Sequence, residues 1–166
     1  MQELMRWGEE IGSDVPFFFA GGTAYCRGRG EEVQPLAPFN QKPCWIVKPS
    51  QGLSTPSVYA HCRPDQLPQR DPGAVLESLM RGEDRFFNDL EQSAFQLSPS
   101  LTKMKQELLN VGFSHVTMTG SGTAFFCIGC PQAEFERLVK SKGWYARRVT
   151  FCQRITTGWY FDEDVR

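Results

Sequence analysis

The stretch SPSLTKMKQELLNVGFSHVTMTGSGTAFFCI, residues 98–128, decides the fold. Ser98 followed by Pro99 suits a helix start. The hydroxyl can cap, and proline's missing N–H costs nothing in the first turn. Leu101, Met104, Leu108 and Leu109 then form one apolar face, and Gly112 ends the helix. Val116–Met118 reads as a strand running into Thr119-Gly120-Ser121-Gly122, and Thr123–Ile128 reads as a second strand. A helix feeding two strands across a short small-residue turn is half of a layered helix-and-sheet domain.

Downstream, Pro131–Lys140 reads as a helix with Phe135, Leu138 and Val139 inward, stopped near Gly143, and Trp144–Cys152 as a last strand. Upstream, Gln2–Ile11 is helical in pattern, with Leu4, Trp7 and Ile11 spaced three and four apart. Gly12 is a natural stop, and Val15 before Pro16 is pushed toward extended geometry. Phe17–Phe19 is expected to begin a strand that turns at Gly21-Gly22 and returns over Thr23–Arg27, with Gly28-Arg29-Gly30 closing the far end. Pro35–Pro43 is a proline-rich connection and the best domain boundary. Cys44–Lys48 is a strand, SQGLSTPSVY a loop entering a short helix, Asp65–Asp71 a polar surface loop, and Ala74–Met80 a helix. The economical architecture is an α+β sandwich with helices on one sheet face.

The 166 residues are 40% hydrophobic and 22% charged, as in a globular domain that can bury a core. The formal charge of -1 gives no reason to expect nucleic acid as a partner. No apolar run approaches the roughly 20 residues that span a bilayer, so no membrane partner is expected. The start, MQELMRWGEEIG, is acidic and amphipathic and does not read as a signal peptide. It reads as a helix already in progress, so Met1 fits an internal methionine as well as a start. Six cysteines are expected to be reduced and mostly buried. Cys127-Ile-Gly-Cys130 has CxxC spacing, but His61 and His115 complete no ligand set, so packing is preferred and no metal is assigned.

Five features could carry chemistry. Asp14 lies at a junction between Gly12 and Pro16, where a carboxylate can project into a cleft and accept a proton. A turn-capping aspartate explains the same spacing, and from spacing alone it explains it better. Thr119-Gly120-Ser121-Gly122-Thr123 offers close backbone approach and hydroxyl donors to an oxyanion; plain hairpins share that composition, and no Walker lysine follows. Gly28-Arg29-Gly30-Glu31 is by itself a tight turn with exposed charges. Asn88-Asp89-Leu90-Glu91 is by itself a helix start. Thr55 and Tyr59 share a helix face that could hold a flat ring, or Tyr59 simply packs on the core.

Their order carries a resemblance. Gly12-Ser13-Asp14-Val15-Pro16 resembles the aspartate segment of the GHMP small-molecule kinases, and Met118-Thr119-Gly120-Ser121-Gly122 resembles their glycine loop. Thr55-Pro56-Ser57-Val58-Tyr59 and Asn88-Asp89-Leu90-Glu91 resemble the branch that phosphorylates a cytidine-diphosphate-linked methylerythritol in isoprenoid (terpenoid) biosynthesis. The likeness covers nearly the whole chain and fades after Arg148. It implies a GHMP-kinase fold, with residues 1–36 ending the N-terminal kinase domain and 43–160 forming a ferredoxin-like C-terminal domain. It implies Asp14 as the base, and Thr55, Tyr59 and Arg29 beside the cytidine. Thr119, Gly120, Ser121 and Gly122 would then shape the phosphate region, with ATP and Mg2+ as the donor pair. Asp14 and the 119–122 turn are expected to face one cleft. The bacterial cytoplasm or the plastid stroma is the expected compartment.

The family's second motif, a glycine-serine loop that cradles ATP, should precede Asp14, and nothing in these residues replaces it. The expectation is therefore a fragment that is inactive alone. Its apolar hairpin Phe17–Tyr25 is expected to be sticky. The alternatives are another GHMP kinase of homoserine or mevalonate type, and a non-catalytic ligand-binding module that keeps the C-terminal fold.

Overall fold

The computed structural model describes residues 2–38, 42–83 and 86–152. The chain divides into two compact units, Met1–Asn40 with Phe151–Arg166, and Gln41–Thr150.

In the first unit, helix α1 spans Gln2–Ile11, a 3-10 turn spans Val15–Phe19, and strands β1 (Ala24–Arg27) and β2 (Glu32–Pro35) pair antiparallel. This corrects the strand expected at Phe17–Phe19. Pro16 sits in the first turn, where its fixed φ suits a helix, and the Ala20 N–H closes on the Phe17 carbonyl at 2.9 Å. Packing holds Val15 there too: a Cβ on Gly8 would meet Val15 Cγ1 at 3.1 Å. The hairpin therefore turns at 28–31, not at Gly21-Gly22; Arg27 pairs with Glu32, and the Gly30 N–H bonds the Arg27 carbonyl at 3.0 Å.

The second unit contains β3 (Cys44–Lys48), α2 (Thr55–His61), α3 (Pro72–Met80), α4 (Leu90–Leu97), α5 (Pro99–Asn110), β4 (His115–Met118), β5 (Phe125–Ile128), α6 (Glu134–Lys142) and β6 (Tyr145–Val149). Its four strands form an antiparallel sheet in the order β4-β5-β3-β6. Two central strands, β5 and β3, with β4 at one edge and β6 at the other, make the ferredoxin-like arrangement that the resemblance implied.

Strand alternation sorts the sheet into two faces. Register places Trp45 opposite Cys127 and Val47 opposite Phe125, with Val116 and Met118 beside them. These side chains join Val58, Ala94, Leu101, Met104, Leu108 and Phe135 from the helices in one buried cluster. Ile46, Phe126, Thr117 and His115 occupy the other face, where the Phe86 ring stands edge-on to His115 and Phe126 at 5.3 and 5.9 Å. Gly143, at φ +64°, ends α6 in the left-handed conformation that favours glycine.

Four local expectations are corrected. Leu109 is 37% exposed and is not part of the core face. The Ser98 hydroxyl does not cap α5; it bonds the Ser100 hydroxyl at 2.9 Å. The last helix and strand are displaced or shortened, to 134–142 and 145–149. Only Cys44 and Cys127 are buried, whereas Cys26, Cys130 and Cys152 are exposed and Cys62 is half-buried; all six are free thiols. Burial, with some help from Cys44, pushes the Cys127 thiol up to about 12.

Candidate active site

The β4–β5 turn is built to hold its backbone in one shape. The Thr119 N–H closes the hairpin on the Ala124 carbonyl at 2.8 Å. Gly120 then adopts φ +59°, a left-handed conformation that a side chain would resist. A Cβ built there would meet nothing within 4 Å, and one on Gly122 would meet only the Thr119 carbonyl, at 3.8 Å. The backbone thus stands open at Gly120.

Three neighbouring segments tie this turn down. Ser121 Oγ and Thr55 Oγ1, at the start of α2, share a hydrogen bond of 2.8 Å. The Thr123 hydroxyl donates to the Gln51 carbonyl at 3.0 Å. Asn88 Nδ2 donates to the Met118 and Gly120 carbonyls, both at 2.7 Å, while its Oδ1 accepts the Leu90 N–H at 3.0 Å. Glu91 Oε1 accepts the Met118 N–H at 2.7 Å, and its Oε2 pairs with Lys105 Nζ at 2.6 Å. Two sequence-predicted residues, Thr55 and Ser121, are therefore in contact. Tyr59 lies one turn after Thr55 and is 60% exposed, while Val58 points into the core.

Asn88 and Glu91 are residues that sequence reading singled out only as a helix start and gave no part in the site. A helix start explains the Leu90 bond, but the partners at 118 and 120 lie about thirty residues on, beyond any local pattern. The only signal was the fixed order of the Asn-Asp-Leu-Glu and Thr-Gly-Ser-Gly segments. Between them, Asp89 pairs with Arg70, whose guanidinium lies 3.9 Å from the centre of the Phe87 ring.

The first unit brings Asp14 and the Gly28-Arg29-Gly30 turn together. Asp14 precedes the 3-10 turn, is exposed, and makes no capping bond with its side chain. Gly30, at φ +120°, leaves no room for a side chain: a Cβ would meet Asp14 Oδ1 at 3.1 Å and the Ser13 carbonyl at 3.2 Å. The Arg29 side chain is 82% exposed and reaches toward Glu31. N–H groups of Glu31 itself and of Arg29 hold the Glu31 carboxyl below the usual carboxylate range. Partial burial, and then the Asp14 charge, push the Cys26 thiol up. Asp14 belongs to the first unit and the glycine turn to the second.

Comparison with known proteins follows the same outline. Residues 65–141 match the family described as GHMP kinases C terminal. The chain is 45% identical, over 159 residues, to a 4-diphosphocytidyl-2-C-methyl-D-erythritol kinase of Protochlamydia amoebophila, covering 96% of this chain and 51% of that protein. It is 36% identical over 173 residues to the chloroplastic/chromoplastic kinase of the same name from Solanum lycopersicum, covering 97% and 43%. A crystal structure of 4-(cytidine 5'-diphospho)-2C-methyl-D-erythritol kinase superposes with a TM-score of 0.70 at 33% identity, covering 90% of this chain and 57% of that one. The chain spans about half the length of these relatives. With overall fold and sequence in agreement, the chain carries the C-terminal domain of the GHMP kinases.

Proposed function

We propose that this chain supplies the base and the glycine loop of a kinase that phosphorylates the 2-hydroxyl of 4-diphosphocytidyl-2-C-methyl-D-erythritol, a step of isoprenoid biosynthesis. The observation that carries this reading is the 45% identity, over 96% of the chain, to a relative bearing that name. The domain assignment that accompanies it is 1–36 for the end of the kinase's N-terminal domain and 43–160 for its C-terminal domain.

In this reading Asp14 takes the proton of the attacking hydroxyl. The hydroxyl oxygen bonds the terminal phosphorus of ATP, the bond to the bridging oxygen breaks, and ADP leaves. ATP supplies the phosphoryl group, and a bound Mg2+ would supply charge neutralisation there. The open backbone at Gly120–Gly122 fits the approach of a phosphate, since no side chain or neighbouring atom fills the space before Gly120. Thr55 and Tyr59 offer a hydroxyl and an exposed ring on one face of α2, which suits the flat base of a cytidine. Arg29, exposed in the turn beside Asp14, suits the negative charge of the same substrate. Among the described residues no helix is long and apolar enough to cross a membrane. The name of the Solanum lycopersicum relative accords with a plastid, and a bacterial cytoplasm is the other compartment proposed.

The test is a chimera in which this chain replaces the matching part of the Protochlamydia amoebophila kinase. ADP release should depend on the cytidylated alcohol, and Asp14→Asn should lower kcat by about 100-fold or more. Phosphorylation of homoserine or mevalonate in preference to the cytidylated alcohol would overturn the assignment.

A further inference from the structure

We propose that Asn88 and Glu91 are positioning residues that set the direction of the peptide groups in the glycine loop, and through them its ability to hold a phosphate. The catalytic part of this inference rests on the kinase reading above; the conformational part does not.

One nitrogen, Asn88 Nδ2, has two N–H groups, and it has two acceptors at 2.7 Å, the carbonyls of Met118 and Gly120. Both carbonyls are therefore turned toward Asn88. A trans peptide points its N–H opposite its C=O. The 118–119 peptide accordingly aims its N–H at the Ala124 carbonyl, which it reaches at 2.8 Å. The 120–121 peptide aims the Ser121 N–H away from Asn88. Gly120, at φ +59°, is the residue whose conformation permits this, and it is also the residue facing open space. Asn88 thus dictates which way a donor of the loop faces.

Glu91 fixes the same element from behind. Its carboxylate accepts the Met118 N–H at 2.7 Å and is largely buried, and Lys105 balances its charge at 2.6 Å. A charge-assisted bond to a backbone amide is stronger than a neutral one. The Asn88 Oδ1 bond to the Leu90 N–H, 3.0 Å long, locks the asparagine against the start of α4. Asn88 and Glu91 therefore arrive on one rigid element, and the loop is held by its carbonyls at 118 and 120 and its amide at 118. A loop so held presents its donors before a ligand arrives, which is how preorganised sites stabilise developing charge.

Asn88→Asp separates this role from a merely structural one. Aspartate keeps the shape and keeps the acceptor for Leu90, but it replaces the donor with an oxygen facing two carbonyls. In the full 166-residue chain, NMR exchange of the Met118 and Thr119 amides, which the Glu91 and Ala124 bonds protect, should rise about tenfold or more, while amides of α5 stay protected. In the chimera, kcat should fall by about 10- to 100-fold while KM for the cytidylated alcohol changes by less than about threefold. Glu91→Gln, which can still accept from Met118, should retain more activity than Glu91→Ala. Unchanged exchange of the Met118 and Thr119 amides in Asn88→Asp would overturn the positioning role. Faster exchange with an unchanged kcat would overturn its catalytic part. A parent chimera without kinase activity would instead overturn the kinase reading, and amide exchange would still decide what Asn88 does.

Discussion

At the residue scale, Gly30 lies close against the Asp14 carboxylate. Any Cβ at position 30 meets the carboxylate oxygen at 3.1 Å, and φ +120° is a conformation that side chains resist. Gly30→Ala should therefore lower stability by about 1–3 kcal/mol and displace Asp14 as the turn relaxes. Denaturant melts of the chain measure the first effect, and kcat of the chimera the second. A stable variant with full activity would mean that the turn does not constrain the carboxylate. Cys26 gives an independent report on the same place. Its thiol is held up by burial and then by the Asp14 charge, so less thiolate is present at neutral pH than an ordinary cysteine would show. Thiolate is the reactive form, and Asp14→Asn removes one of the two causes. Alkylation of Cys26 by iodoacetamide, followed by mass spectrometry, should therefore speed up in Asp14→Asn. An unchanged rate would put Asp14 too far away to matter. None of this proximity was legible in the sequence. Gly28-Arg29-Gly30 reads as a tight turn, which it is, but the chain between Asp14 and Gly30 had to fold back first.

At the element scale, legibility followed the range of the forces involved. Residues 98–128 were readable because proline position, apolar spacing and glycine stops act within a turn or two. Phe17–Phe19 was misread because three consecutive aromatics favour a strand, while the 3-10 turn is set by Pro16 and by the packing of Val15 on Gly8, a contact outside any short window. The Thr55–Ser121 bond and the Asn88 clamp were likewise invisible, since each joins segments more than twenty residues apart. The two adjacent leucines of α5 show how fine the distinction is. Each residue turns the helix by about 100°, so Leu101, Met104 and Leu108 share a face that Leu109 leaves. Leu108 is 0% exposed and Leu109 37%. Leu108→Ala should cost about 2–5 kcal/mol, through lost burial and the cavity left behind. Leu109→Ala should cost about 1 kcal/mol or less. Urea unfolding of both variants decides it; equal losses would mean that α5 is rotated about its axis from the position described.

At the scale of the whole molecule, apolar surface is concentrated where the sequence reading did not put it. Phe17, Phe19 and Tyr25 of the supposed sticky hairpin are half-buried, and of that stretch only Phe18, at 55%, is strongly exposed among the large apolar side chains. The larger exposed stripe is on α1, where Leu4, Trp7 and Ile11 are 36%, 49% and 81% exposed. Their spacing of three and four puts them on one helix face, and a contiguous apolar face of this kind marks a contact surface. The relatives are about twice as long as this chain, so the complete kinases have further surface that could cover such a stripe. The 166-residue chain should therefore self-associate in solution, and it should show negligible ATP turnover, because no glycine-serine loop of the ATP-cradling type occurs in it. Ile11→Glu places a charge on the most exposed residue of the stripe and should shift sedimentation toward monomer, while a similarly charged substitution at the exposed Lys140 on α6 should not. In the chimera the same Ile11→Glu change should lower thermal stability, since the stripe would be covered there and the charge would be buried against its partner. A monomeric parent chain, or a chimera indifferent to Ile11→Glu, would show that α1 faces solvent in the complete enzyme as well.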